Sequence, residues 1–204
     1  MKIAAKGITI AMALVAVTVV GTQAQSPAAL PAGDRAPDRV ALGAKFVQLG
    51  GCDDCHTTKK MGPNGPELDM SRRLAGHPQE MVMPPAPELA PGPWVATVAG
   101  TLTAWSGPWG VTFTQNLTPD PETGLGKWTE EEFLAALQTG RHQGRGREIL
   151  PPMPWQQYST LPEEDLRAIW AFLRTLPPVK NKVPDPLPPA APMAPMAPPA
   201  APSK

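Results

Sequence analysis

Cys52-Asp53-Asp54-Cys55-His56 is the stretch on which the reading of this chain turns. Two thiols three positions apart on a helical turn point the same way, and the next residue brings an imidazole alongside them. Each thiol can add to one of the two vinyl groups of a haem while the imidazole reaches the iron, which is the C-x-x-C-H spacing of covalent haem attachment. Two other uses of a cysteine pair fit less well. A tetrahedral zinc site needs four ligands; the chain has only 2 Cys, and His77 and His142 lack the spacing and companions of a finger. A redox C-x-x-C sits at a strand-to-helix junction of an α/β pattern, and no such pattern surrounds this pair. The spacing therefore implies one haem c, attached through Cys52 and Cys55 and ligated by His56.

Upstream, Pro37-Asp38-Arg39-Val40 leads into Leu42, Ala44, Phe46, Val47 and Leu49. A proline in the first turn, apolar residues at helical spacing and a Gly50-Gly51 stop predict a helix of about three turns. Downstream, from Met61 to about Asn116, Pro and Gly recur too often for a long helix. Val95 to Val98, Thr101 to Trp105 and Val111 to Thr114 have strand-like composition, so this segment is expected to be loop with one small β-hairpin. Thr129-Glu130-Glu131-Glu132 is a capping box for a second helix with Phe133, Leu134 and Leu137 on one face and Gly140 as terminator. A last helix is expected from Thr160-Leu161-Pro162-Glu163, carrying Leu166, Ile169, Trp170 and Leu173 on one face and ending at Pro177-Pro178.

The ends read differently from the middle. Lys2 and Lys6, an apolar run from Ile8 to Val20 and then Thr22-Gln23-Ala24 have the order of a secretory signal peptide, with cleavage expected after Ala24. An uncleaved membrane anchor is the competing reading, although the run is shorter than the ~20 apolar residues of a spanning helix. Either way the protein is expected to be exported, to the periplasm, with membrane association left open. The divisions drawn are a signal peptide at 1–24, a lead at 25–35, a haem domain at 36–180 and a Pro/Ala/Met-rich disordered tail at 181–204. The tail can form extended polyproline segments but cannot bury a core, and its Pro-Met-Ala recurrence is low complexity and no structural repeat. Removing Lys2 and Lys6 leaves 16 basic against 18 acidic residues, a balance that speaks against nucleic acid as partner.

The second iron ligand needs a separate argument. A thioether raises the potential of haem iron, so His/Met ligation suits electron transfer. In Leu150-Pro151-Pro152-Met153-Pro154 the prolines exclude helix and are expected to hold the backbone extended, so Met153 is chosen. Met61, Met81 and Met83 lie in the irregular segment, and Met83-Pro84-Pro85 copies only part of the setting. His77 and His142 are read as surface or propionate-side histidines. Arg141, Arg145 and Arg147 could fork onto haem propionates, but a solvated Gly/Arg loop is the preferred reading. Trp94, Trp105, Trp109, Trp128 and Trp155 are read as packing around the haem.

With these residues in place, the chain resembles the monohaem cytochrome c family over about residues 36 to 178. In that family the first and last helices cross, a glycine and an aromatic on the first meeting an aromatic on the last; Gly43, Phe46 and Phe172 match those positions. Asn116 to Gly124, Trp128-Thr129 and Leu150 to Trp155 look like bacterial cytochromes c that serve dehydrogenases. The resemblance implies a mainly α cytochrome c fold, here with a Pro/Gly-rich insertion, and a non-enzymatic one-electron carrier. Its partners would be a dehydrogenase as donor and an oxidase or another cytochrome as acceptor. The alternatives are a cytochrome subunit of a membrane dehydrogenase or oxidase complex, and a haem peroxidase or gas-binding sensor whose distal iron position is open.

Overall fold

Gly43 is where the two ends of the folded region meet. The computed structural model describes residues 36–189 apart from 88, 90 and 91. Its α-helices are α1 (Ala36–Leu49), α2 (Cys52–His56), α3 (Glu130–Thr139), α4 (Trp155–Tyr158) and α5 (Glu163–Leu173), and α1 packs on α5. A Cβ at Gly43 would run into the carbonyl oxygen of Ala168 and stand 2.9 Å from Cβ of Phe172, so only glycine permits this approach. Around the contact Val47, Leu166, Ile169, Phe172 and Leu173 are buried, with Phe46 packed against them. Gly43→Ala should therefore force the helices apart and lower stability by about 3 kcal/mol, read as a lower denaturation midpoint with the helical signal retained.

Helix α3 begins as its sequence dictates. The Glu132 amide donates to Thr129 Oγ1 and the Thr129 amide to Glu132 Oε2, both at 3.1 Å, and Gly140 closes the helix in the left-handed conformation at φ 67°. Its apolar face, Phe133, Leu134 and Leu137, joins the α1–α5 core. Helix α5 ends at Leu173, earlier than Pro177, because the amides of Thr175 and Leu176 fold back onto the carbonyls of Phe172 and Leu173 in a tightened last turn.

The segment between Met61 and Asn116 holds more sheet than the single hairpin expected. Strands β1 (Lys59–Gly62) and β2 (Gly65–Leu68) pair antiparallel, while β3 (Thr97–Val98), β4 (Ala104–Gly107) and β5 (Gly110–Phe113) form a second antiparallel sheet in that order. The first hairpin escapes a composition-based reading because Lys-Lys-Met-Gly and Gly-Pro-Glu-Leu lack β-branched alternation; the Pro63-Asn64 turn and Gly65 at φ 116° make it.

The boundary at 181 falls inside packed structure. Asn181 is fully buried: its amide nitrogen donates to the carbonyls of Ala75 (2.6 Å) and His77 (2.8 Å), and its Oδ1 accepts from the Gln79 amide and Arg72, both at 2.9 Å. Asn116 ties down the same segment, donating to the carbonyl of Val179 at 2.8 Å. Further on, Leu187 and Val111 exchange backbone hydrogen bonds of 2.9 Å in both directions, adding one bridge to the edge of β5. A side chain whose four bonding positions are matched orders a segment that has no apolar pattern of its own. The segments 1–24, 25–35 and 190–204 lie outside the described residues.

His77 is buried, not on the surface. Its Nδ1 is 2.9 Å from Thr103 Oγ1, its Nε2 donates to the carbonyl of Met81 (3.1 Å), and its ring lies 4.8 Å from that of Phe113. Burial pushes its pKa below the ordinary histidine value of 6.5. The unfolded chain therefore takes up the proton first, so this contribution to stability is complete above about pH 6.5 and is lost as the pH falls below it. Urea midpoints should decline as the pH falls below about 6.5, and His77→Gln should make that decline shallower.

Candidate haem-binding site

Helix α2 is one turn, entered through Gly51 in the left-handed conformation (φ 63°). Both cysteines are free thiols, each partly buried, and burial raises the pKa of both, so they stay protonated. The turn is anchored from three directions. Asp53 takes a forked ion pair from Arg73 (2.8 Å) and a hydrogen bond from Thr57 (2.9 Å). Burial acts to raise the Asp53 pKa, but these donors outweigh it and hold the carboxylate ionised. The Gly76 amide donates to the carbonyl of His56 at 2.7 Å, across a sharp turn in which Leu74, fully buried, sits at φ 58°. That left-handed leucine costs about 1–2 kcal/mol locally and is kept by its bonds to Thr57 and Leu117.

The third anchor sets the chemistry. His56 Nδ1 lies 2.8 Å from the carbonyl oxygen of Gln115, an acceptor only, so Nδ1 carries the proton and Nε2 keeps its lone pair. Burial also lowers the His56 pKa, favouring the neutral ring that a metal requires. Gln115 has no signature in the sequence because it works through its backbone.

Met153 is partly buried and packs on the hydrophobic core cluster, as Cys52 and Phe46 also do. Its loop is fixed at both ends: the Ile149 amide donates to Gly140 (2.8 Å), Trp155 lies against Gly140, and α4 follows at once. Tyr158, the single tyrosine of the chain, donates to the carbonyl of Gly50 at 3.0 Å with its hydroxyl 3.9 Å from Cys52 Sγ. The backbone is not extended as expected: Pro151 and Pro152 form a turn, a use of proline's fixed φ as ordinary as extended chain.

The other candidates are placed elsewhere. Both nitrogens of His77 are engaged by protein, and His142 packs edge-on to Trp128. Met61 is 78% exposed, while Met81 and Met83 line a separate groove beside the second sheet. Arg141 pairs with Glu148 and Arg145 with Glu132, while Arg147 bonds the Glu148 carbonyl, which makes this the solvated loop that its composition favours. The tryptophans divide: Trp128 packs on the core and Trp155 against Gly140, but Trp94 is exposed and Trp105 lines the groove. Among the described residues no three His, Cys, Asp or Glu side chains converge as a metal-ion site, and no helix is long and apolar enough to cross a membrane.

These residues fit a covalent haem. Two protonated thiols on one turn match two vinyl groups, His56 presents a neutral Nε2, and an apolar cluster adjoins them. No protein-family model matches the chain. Among known proteins it is 40% identical over 81 residues to the cytochrome c subunit of alcohol dehydrogenase (quinone) of Gluconobacter oxydans, covering 38% of this chain and 17% of that protein. It is 33% identical over 89 residues to the fructose dehydrogenase cytochrome subunit of Gluconobacter japonicus, covering 41% of this chain and 18% of that protein. A diheme cytochrome c-type protein of Cereibacter sphaeroides is 27% identical over 136 residues, 67% of this chain and 36% of that one. The chain thus spans well under two thirds of the length of each. Its homologues include cytochrome c subunits of dehydrogenases, which supports a c-type cytochrome.

Proposed function

We propose that this chain is a one-electron carrier holding a single haem c, with Cys52 and Cys55 as thioether donors and His56 and Met153 as axial ligands, in a cytochrome c fold. Haem supplies the Fe(III)/Fe(II) couple; the protein attaches it, supplies the ligands and limits access of small molecules. The observation that carries this reading is the bond from His56 Nδ1 to the carbonyl of Gln115. It fixes the tautomer whose Nε2 can bind iron, in a histidine adjoining two free thiols. The chain is further proposed to work in the periplasm and to accept electrons from a dehydrogenase. The relatives favour a place within a dehydrogenase complex over a free carrier, since several are named as cytochrome subunits of such enzymes.

Anaerobic reductive titration tests the proposal. One electron per chain should complete the optical change, and the reduced protein should ignore carbon monoxide. Uptake of two electrons per chain would contradict a single haem. Rapid carbon monoxide binding together with turnover of peroxide would replace the carrier by the enzymatic alternative.

A further inference from the structure

Beside the second sheet lies an apolar groove of about 580 Å³, on a different part of the chain from the cysteines. Met81, Met83, Pro85, Trp105, Phe113 and Leu187 line it. Its walls are fixed: His77 holds the carbonyl of Met81 and stacks on Phe113, while Leu187 is tied to Val111 by two backbone hydrogen bonds. Yet Val98, also in the lining, is 43% exposed and Leu187 53%, so apolar surface in a preformed cleft faces outward.

The occupant is suggested by where the chain leaves. Leu187 is itself part of the wall, and the backbone of Pro188 and Pro189 passes directly over Gly110, at the end of the same sheet. Residues 190–204 follow, Ala-Ala-Pro-Met-Ala-Pro-Met-Ala-Pro-Pro-Ala-Ala-Pro-Ser-Lys. From Ala190 to Pro202 there is no charged or hydrogen-bonding side chain to keep the segment in water. Its period is three: Pro192, Pro195 and Pro198 form one series, and Met193, Met196, Pro199 and Pro202 another. A polyproline II helix has three residues per turn, so each series becomes a continuous ridge. Apolar grooves lined by aromatic rings are the usual receptors for such ridges, because the ligand loses little entropy on binding. At about 3.1 Å per residue the segment could extend over roughly 45 Å, enough to turn back onto the sheet it has just left. The tether supplies an effective concentration in about the millimolar range, so a contact too weak to hold a separate peptide suffices.

We propose that residues 190–204 dock in cis as a polyproline II segment in the groove formed by Met81–Pro87, Trp105, Phe113 and Leu187, with Met193 and Met196 against the aromatic rings. This is independent of the haem assignment.

The test is NMR on the full-length protein with ¹³C-methyl methionine, kept under reductant throughout, with methyls assigned by single Met→Leu variants. Expected are nuclear Overhauser contacts from the Met193 or Met196 methyl to ring protons of Trp105 or Phe113, unchanged over a tenfold range of protein concentration. Val98→Glu, which places a charge in a half-exposed lining position, should abolish them and return the Met193 and Met196 shifts to those of the free peptide. A chain ending at Pro189 should show the groove resonances of Val98→Glu in its empty form. Free-peptide shifts for both methyls in the unmodified protein would overturn the proposal. So would contacts that grow with concentration, which would assign the groove to a second copy, or contacts made instead by residues 25–35.

Discussion

Protein in which both Cys52 and Cys55 are replaced by serine is expected to carry no haem that survives acid–organic extraction, whereas the unmodified protein should keep all of it. The two thioethers are the only bonds in the proposed site that denaturation does not break; axial ligation is lost with the fold. Burial keeps both thiols protonated, and α2 is anchored by Arg73, Thr57 and Gln115, with Cys52 Sγ adding only a long 3.9 Å contact to the Tyr158 hydroxyl, so serine leaves the turn itself largely intact. Each single variant should retain one thioether and mature in lower yield. The double variant should accumulate as largely haem-free, less stable protein, because partly buried apolar side chains such as Phe46, Leu117 and Met153 would then lack the haem proposed to cover them. The measurement is the haem absorbance left on the polypeptide after extraction.

Met153→Ala is expected to have the second large effect. Methionine ligation gives an oxidised haem a weak long-wavelength sulfur-to-iron band and a reduced haem a strongly shifted methionine methyl resonance. Both should vanish in the variant, carbon monoxide should bind the reduced iron, and the reduction potential should fall, since a thioether favours Fe(II) relative to water or nitrogen. The loop is held from outside by Gly140, Trp155 and Tyr158, so truncating Met153 removes a ligand without releasing the segment. Met61→Ala, Met81→Ala and Met83→Ala should leave both signals in place. Their persistence in Met153→Ala would return the distal position to Met83 or its neighbours.

How much of this could be read before the structure depended on whether the information was local. The capping box at Thr129 and the apolar faces of α3 and α5 are written in spacing within one helix, and each appears where the spacing put it. The close approach at Gly43 was implied by the family resemblance, and Gly43 does lie against Ala168 and Phe172. Cys52, Cys55 and His56 are likewise a local pattern. The β1–β2 hairpin was hidden because its strands are made largely of lysine, glycine and proline, and only the turn geometry favours pairing. Asn181 and His77 were misplaced for another reason: a buried polar side chain is recognised by partners far along the chain, here Ala75 and Gln79 for one and Thr103 for the other. Gln115, which orients His56, acts through a carbonyl that every residue has. Long-range hydrogen bonding to backbone leaves no mark in a single sequence.

The most direct test of the central claim is the intact mass of the purified protein under denaturing conditions, recorded with its reduced optical spectrum. The expected result is the polypeptide plus one haem, bound to the peptide containing Cys52 and Cys55, and a low-spin six-coordinate spectrum. A mass equal to the polypeptide alone, from protein that shows a haem spectrum before denaturation, would contradict it.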